Sequence, residues 1–260
     1  MNGGRYKRIN QAVGKAIHQY DLIADGDRIC VGVSGGKDSL TLLWLLQERL
    51  SRIPINYELF ACYVDPGFDG GFADPLTEFC RDRGWHLRVE YTDGGLVAHS
   101  DVNRENPCFL CSRLRRKKLF EISTELGCNK LALGHNKDDI IESLFLNMCY
   151  AGEISTMLPC LPMFGGEVTI IRPLALVEEN QTQRFAEDNH FPVFNNPCPT
   201  ADNSKRKKIK IMLQQLYQHN KKIKGNIFRA MGNVKTDYLL NNTKRTSLPT
   251  EKDGRHSKQT

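Results

Sequence analysis

Hydroxyls, paired glycines, a lysine and an aspartate follow one another in the run Ser34-Gly35-Gly36-Lys37-Asp38-Ser39. That combination suits the holding of a phosphate. The apolar, β-branched stretch Ile29-Cys30-Val31-Gly32-Val33 precedes it, and the helix-forming Leu40-Thr41-Leu42-Leu43-Trp44-Leu45-Leu46 follows. A strand that turns into a helix presents free backbone N–H groups at the positive end of the helix dipole. Gly35 and Gly36 remove the Cβ atoms that would keep an anion off the backbone. Ser34 and Ser39 add donors, and Lys37 adds a mobile cation. The spacing is not that of a Walker loop, which needs Gly-x-x-x-x-Gly-Lys-Ser/Thr. A capped strand–helix turn alone would call for neither the second glycine nor the Lys-Asp pair.

A second polar cluster, Gly134-His135-Asn136-Lys137-Asp138-Asp139, follows another apolar run. Asp38 and Asp139 are hard oxygen donors of the kind Mg²⁺ shares with phosphates. Both also fit the first turn of a helix, where the dipole favours acids; Asp138 reads the same way, and His135 suits either a turn or a ligand contact. The third group is made of thiols. Of nine cysteines, Cys30, Cys62, Cys80, Cys128, Cys149 and Cys160 sit singly in apolar runs and read as small core residues of a reducing compartment. Cys108, Cys111 and Cys198 each lie in a Pro-flanked, turn-like context. Spacing alone leaves a metal or cluster site, a redox pair and an inert pair all open. Directly after the Cys-x-x-Cys come Arg113, Arg115, Arg116, Lys117 and Lys118. They fit phosphate contacts or a solvated helix face, and no aromatic stacking platform stands beside them in the sequence.

The elements that must position these residues alternate. Strands are expected at 28–33, 58–64, 86–91, 130–133 and 168–171, and helices at 11–19, 40–50, 75–83, 112–126, 138–149 and 178–189. Such alternation predicts βαβ units, a parallel sheet and helices on both faces. Ligands in such sheets bind beyond the carboxyl ends of the strands, and Ser34, Asp65 and Gly134 each follow a strand. One large α/β domain is expected over 1–200.

The net charge of +6 is unevenly placed. Residues 201–260 carry fifteen Lys/Arg against four Asp/Glu, so the first two hundred residues are net acidic. Helices are expected at 205–219 and 222–238, a basic helical segment over 201–240, and a disordered tail over 241–260. Ile209, Met212, Leu213 and Leu216 line one face of the first helix, while Lys205, Arg206, Lys207, Lys208 and Lys210 crowd its start. That is the wrong end for the dipole; a polyanionic partner would explain it. The chain lacks a membrane-spanning apolar stretch and an N-terminal signal core, so it reads as cytoplasmic.

The first cluster matches the SGGxDS motif of the PP-loop ATP-pyrophosphatases, and Gly134-His135-Asn136-Lys137-Asp138-Asp139 resembles their GHxxDD motif. Within that family, Pro107-Cys108-Phe109-Leu110-Cys111-Ser112-Arg113-Leu114-Arg115-Arg116 resembles the CxxC-x-RLRR element of the tRNA 2-thiocytidine synthetases. Ile171-Arg172-Pro173-Leu174 and Pro197-Cys198-Pro199 fall in the same order, and the match covers about residues 8–234. The resemblance implies a PP-loop, adenine nucleotide alpha hydrolase-like sheet that binds ATP through Ser34–Ser39, Asp65, Gly134 and His135. Lys37, Asp38 and Asp139 would be catalytic, with Mg²⁺ on Asp38 and Asp139. It further implies a 4Fe-4S cluster on Cys108, Cys111 and Cys198 with one iron open to sulfide. tRNA contacts would come from Arg113, Arg115, Arg116, Lys205, Arg206 and Lys208. The implied reaction adenylates the C2 oxygen of a tRNA cytidine, at position 32, and replaces it with sulfur. The implied partners are tRNA, ATP and a sulfur donor such as a cysteine desulfurase, with homodimer formation compatible. A 2-thiouridine synthetase and a non-catalytic iron–sulfur RNA-binding or redox-sensing protein are the competing expectations; lysidine synthesis would need no Cys-x-x-Cys. The stretch Pro197-Cys198-Pro199-Thr200-Ala201-Asp202 departs from the best-known members, some of which carry a further cysteine here.

Overall fold

Residues 3–195, 197–200 and 204–240 are described by a computed structural model of the chain. Six strands form one sheet: β1 (Asp27–Gly32), β2 (Tyr57–Asp65), β3 (Leu87–Tyr91), β4 (Lys130–Leu133), β5 (Cys160–Met163) and β6 (Val168–Ile171). Their order is β3-β2-β1-β4-β6-β5, all parallel except β5, which runs antiparallel at the edge. The five expected strands are present. β5 is an additional strand with no sequence signal, since it is four residues long and contains Pro162, a residue that belongs at an edge.

Alternation of side chains explains the layers. On β1, Ile29 and Val31 join one apolar layer while Cys30 joins the other; on β2, Ala61 and Tyr63 oppose Cys62 and Val64. The first layer is covered by α1 (Gly3–Gln19), α2 (Lys37–Leu50), α3 (Ala73–Arg81) and α7 (Glu179–Asp188). The second lies under α5 (Pro107–Glu125), through Leu119 and Ile122. The remaining helices are α4 (Gly94–Ala98), α6 (Lys137–Leu146), α8 (Lys205–His219) and α9 (Ile223–Ala230). Of the six cysteines expected in the core, Cys30, Cys62, Cys80 and Cys128 are buried. Cys160 is only half-buried on the edge strand. Cys149 is exposed, because α6 ends at Leu146 and widens into a π-helical turn over Asn147–Ala151.

Two local departures bear on the site. Cys108 and Cys111 do not lie in a turn: the Asn106 side chain accepts from the Phe109 N–H, Pro107 takes the first helical position, and α5 therefore begins before both thiols. The C-terminal boundary also moves. The first compact unit ends at Lys221, not near residue 200, and includes α8, whose Ile209 and Leu213 are buried while Met212 and Leu216 stay exposed. The second unit begins at Lys222; its single expected helix is the shorter α9 and a turn at Thr236–Tyr238. The expected tail, 241–260, lies outside the described residues.

Candidate active site

The sheet reverses its order at β1, which pairs with β2 on one side and β4 on the other, with Gly32 level with Leu133. The loops after β1 and β4 therefore emerge side by side, at the kind of switch point where α/β sheets bind ligands. A hollow of about 540 Å³ opens there. Ser34, Gly36, Asp38 and Ser39 line it from one loop, Gly134, His135 and Asp139 from the other. Close approach needs glycine at two places. Gly35 has φ +76, and a Cβ on Gly134 would lie 2.9 Å from the backbone of Ser39.

The Ser34–Ser39 loop is tied to itself. Ser39 Oγ accepts from the Ser34 N–H at 3.0 Å and donates to the Gly36 carbonyl at 2.9 Å. Ser39 thus acts as a strut, buried at 4 % exposure. Among the described residues no side chain caps the start of α2, and its first-turn N–H groups suit an anion. Lys37 Nζ lies 3.0 Å from Asp38 Oδ2 and 3.1 Å from Glu179 Oε1. Burial opposes its charge, but the two carboxylates outweigh burial and hold the ammonium above its ordinary pKa.

Asn136 joins the two motifs. Its Oδ1 caps α6 by accepting from the Asp138 and Asp139 N–H groups, Asp139 returns a bond to the Asn136 N–H, and Asn136 Nδ2 donates to Asp38 Oδ1 at 3.2 Å. Thr182 also donates to Asp38 Oδ1, so Asp38 is oriented from two other elements and is no mere first-turn acid. Asp138 is turned aside and accepts from the Glu179 N–H. Burial lifts the Asp139 pKa, against Arg206 and the Asn136 N–H. Asp38 and Asp139, hard oxygen donors beside a phosphate cradle, suit Mg²⁺ shared with nucleotide phosphates. His135 Nδ1 accepts from Arg172 Nε at 3.3 Å, which leaves its proton on Nε2. Burial and the surrounding arginines press its pKa down to about 3, so the ring is neutral at physiological pH. Asp65 is buried and holds its own loop by accepting from the Gly67 N–H; it does not line the hollow.

The cysteines meet at the same mouth. Cys108 lines the hollow. Thr200 Oγ1 lies 3.5 Å from Cys108 Sγ and 3.5 Å from Cys198 Sγ, so one hydroxyl gathers thiols from α5 and from a segment some ninety residues later. Burial pushes the Cys111 thiol up, and nearby Cys198 and Cys108 push it the same way against Arg115. His99 Nδ1 donates to the Gly95 carbonyl at 2.9 Å, its Nε2 accepts from Thr200 at 3.0 Å, and Cys198 Sγ stands 3.9 Å from that nitrogen. No group of three side chains among the described residues is close enough for a single metal ion. Cys108 and Cys198, each 3.5 Å from the Thr200 hydroxyl, and Cys111, on the same helix as Cys108, are soft donors of the kind an iron–sulfur cluster takes.

The basic start of α8 has partners inside the chain. Arg206 Nη1 lies 2.8 Å from Asp139 Oδ1 and 3.5 Å from Glu142 Oε2, Lys210 Nζ lies 2.7 Å from Glu179 Oε1, and Lys205 sits over the Tyr150 ring. The cations at the wrong end of the dipole are explained by this acidic rim, not by a polyanion alone, and Arg206 lines the hollow itself. Lys208 is exposed, as are Arg113, Arg115 and Arg116; Arg115 and Arg116 also line the hollow. Glu142, whose pKa burial raises to about 7, had no sequence signal apart from its helical spacing from Asp139. Thr182, Glu179, His99 and Thr200 had none.

Residues 5–217 match the family model described as a PP-loop domain. The tRNA-cytidine(32) 2-sulfurtransferase of Geobacter sulfurreducens is 43% identical over 245 residues, covering 91% of this chain and 93% of that protein. The enzyme of the same name from Geotalea daltonii is 41% identical over 239 residues, covering 90% and 94%. The chain belongs to the tRNA-cytidine(32) 2-sulfurtransferase family. It is therefore an enzyme, and both family motifs of this PP-loop sulfurtransferase border the hollow. Among solved structures, the U34-tRNA thiolase NcsA from Methanococcus maripaludis with its [4Fe-4S] cluster superposes with a TM-score of 0.74 at 27% identity, covering 91% of this chain and 80% of that one. An NH3-dependent NAD synthetase from Campylobacter jejuni shares the fold at 15% identity and a TM-score of 0.50.

Proposed function

We propose that the chain converts a tRNA cytidine, at position 32, to 2-thiocytidine in an ATP-dependent reaction that forms AMP and pyrophosphate. The observation that carries this reading is that Cys108 lines the same hollow as the Ser34–Ser39 loop and Asp139, so nucleotide activation and sulfur delivery share one chamber. The first-turn N–H groups of α2 bind the β and γ phosphates. Lys37 neutralises charge as pyrophosphate leaves, and Asp38 and Asp139 would hold Mg²⁺, which would supply further positive charge to the phosphates. The cytidine C2 oxygen bonds to the α-phosphorus as the bond to the β-phosphate oxygen breaks. The Nε2–H of neutral His135 can donate to the phosphoryl oxygen without adding a charge. A sulfide then bonds to C2 as the C2–oxygen bond breaks and AMP departs; sulfur enters at the sulfide level, so no electrons are exchanged.

Cys108, Cys111 and Cys198 would hold a 4Fe-4S cluster. When bound, that cluster would supply an iron open to sulfide; sulfur from a donor such as a cysteine desulfurase arrives as a persulfide and becomes sulfide by taking two electrons from an external thiol reductant, which leaves as its disulfide. The exposed Arg113 and Lys208 add phosphate contacts that position the tRNA, and the work is cytoplasmic.

The test is anaerobic incubation with ATP and unmodified tRNA, reading pyrophosphate release and the thiolated nucleoside by mass spectrometry of digested tRNA. 2-Thiocytidine at position 32 with stoichiometric pyrophosphate is expected. Thiouridine overturns the base assignment, and a protein that binds tRNA without releasing pyrophosphate is a binder and not an enzyme of this reaction.

A further inference from the structure

Beside the active hollow lies a second one, of about 660 Å³, between α5 and the β5–β6 hairpin. Leu161, Met163 and Ile170 give it an apolar floor, and Arg113, Arg116 and Lys117 give it a cationic rim. Glu121 and Glu167 also face it, but Arg113, Arg116 and Lys117 outnumber them, and Arg172 adds a fourth cation. Arg116 and Arg172 line both hollows, so the two are neighbours across a pair of guanidinium groups. The rim cations are open to exchange. Lys117 pairs with Glu121 at 3.8 Å and Arg113 with Glu105 at 3.1 Å, both exposed pairs of little strength. Arg116 is exposed, and its Nε donates to the Ser112 carbonyl.

Phe164 stands at the tip of the hairpin. Its φ is +51, a left-handed conformation that a bulky side chain rarely adopts, and Gly165 and Gly166 follow at φ +70 and +101. This backbone does not bury the ring. Phe164 meets Phe120 at right angles with centroids 5.0 Å apart and remains 58% exposed. An exposed aromatic face over an apolar floor, in a hollow whose rim carries more cations than acids, has the make-up of a nucleotide subsite: the base stacks and the phosphate meets arginine. The edge of the sheet here carries Pro162, which lacks an N–H and blunts strand pairing with a second copy.

We propose that this hollow is a subsite for a tRNA nucleotide flanking the one that enters the active hollow, its base stacked on Phe164 and its phosphate held by Arg116 and Lys117. The proposal rests on the tRNA reading above. Phe164→Gly, which the left-handed φ accommodates, removes the ring while keeping the backbone; Phe164→Trp keeps a stacking face. Binding of an unmodified anticodon stem-loop is measured over a salt titration, with single abasic substitutions on either side of the target. Phe164→Gly is expected to weaken binding roughly tenfold or more, Phe164→Trp to restore it, and the loss to vanish when one flanking base is abasic. Lys117→Ala should lower the salt slope by about one. Wild-type affinity in Phe164→Gly, or a loss that persists at every abasic position, overturns the subsite and leaves the thiolation reading standing. A wild-type protein that binds no tRNA overturns both. Unchanged RNA affinity together with a weakened self-association of Phe164→Gly would make the surface a contact between copies and overturn the proposal.

Discussion

At the phosphate end of the active hollow, each key side chain is held by several others: Asp38 by Lys37, Asn136 and Thr182, and Asp139 by Asn136 and Arg206. At the cysteine end, an exposed Cys108 and a half-buried Cys198 each lie 3.5 Å from the Thr200 hydroxyl, and Cys198 also stands 3.9 Å from His99 Nε2. The first end is preorganised before any ligand arrives, as stabilisation of developing charge requires. On the proposed reading the second end is organised by the cluster it would hold, since metal binding and the ordering of its ligands are coupled. The two ends should therefore fail independently.

The largest effects separate them. Asp38→Ala is expected to reduce pyrophosphate release roughly 10³-fold with iron content unchanged. Cys198→Ala is expected to lose iron and thiolation while ATP still binds. Iron analysis and pyrophosphate release on the same preparations decide it, and a variant that loses both functions would join the two ends into one unit. A smaller effect probes the sulfur end alone. Thr200→Val removes the shared hydroxyl and should weaken iron retention by about 10- to 100-fold, the usual cost of an outer-shell partner. Iron release to a chelator reads this, and an unchanged rate would mean the hydroxyl gathers nothing.

At the phosphate end, Arg206→Ala leaves Asp139 and Glu142 without their guanidinium. Loss of one charge-assisted bond is expected to change ATP-dependent pyrophosphate release roughly tenfold with the salt slope of tRNA binding unaltered. A changed slope with normal pyrophosphate release would return Arg206 to the RNA surface. The smallest effect is one of pH. Glu142 has a folded pKa of about 7 against an ordinary 4.5, so between those values the folded state holds a proton that the unfolded state has lost. Its contribution to stability is full below about pH 4.5 and is lost as pH rises through 7. His135 acts in the opposite sense, its pKa of about 3 against 6.5 removing stability as pH falls below 6.5. The Tm difference between wild type and Glu142→Gln isolates the first term: wild type should lose ground to the variant as pH rises from about 4.5 to 7, and a constant difference would show that Glu142 does not titrate there.

The strand–loop–helix order and the parallel sheet were legible because they depend on near neighbours: a β-branched run, two glycines and a leucine-rich helix announce themselves within about twenty residues. The edge strand β5 was not, since a four-residue strand containing Pro162 has no period to read. Pro107 reads as punctuation and suggests a turn at the Cys-x-x-Cys; with Asn106 capping, the same proline starts a helix. Asp65, expected just after a strand, is the last residue of β2, and the fold turns its carboxylate onto the Gly67 N–H.

By itself the chain's sequence determined the chemistry available: a strand-to-helix turn through two glycines, carboxylates for a cation, and three cysteines outside the ordinary core pattern. Local backbone preference and side-chain chemistry suffice for that. Tertiary structure alone decided which of these groups meet. Thr200 between Cys108 and Cys198, Arg206 on Asp139, and Phe164 across from the α5 arginines are contacts between distant parts of the chain. Such contacts are set by how helices pack on the two faces of the sheet, and no local period encodes them.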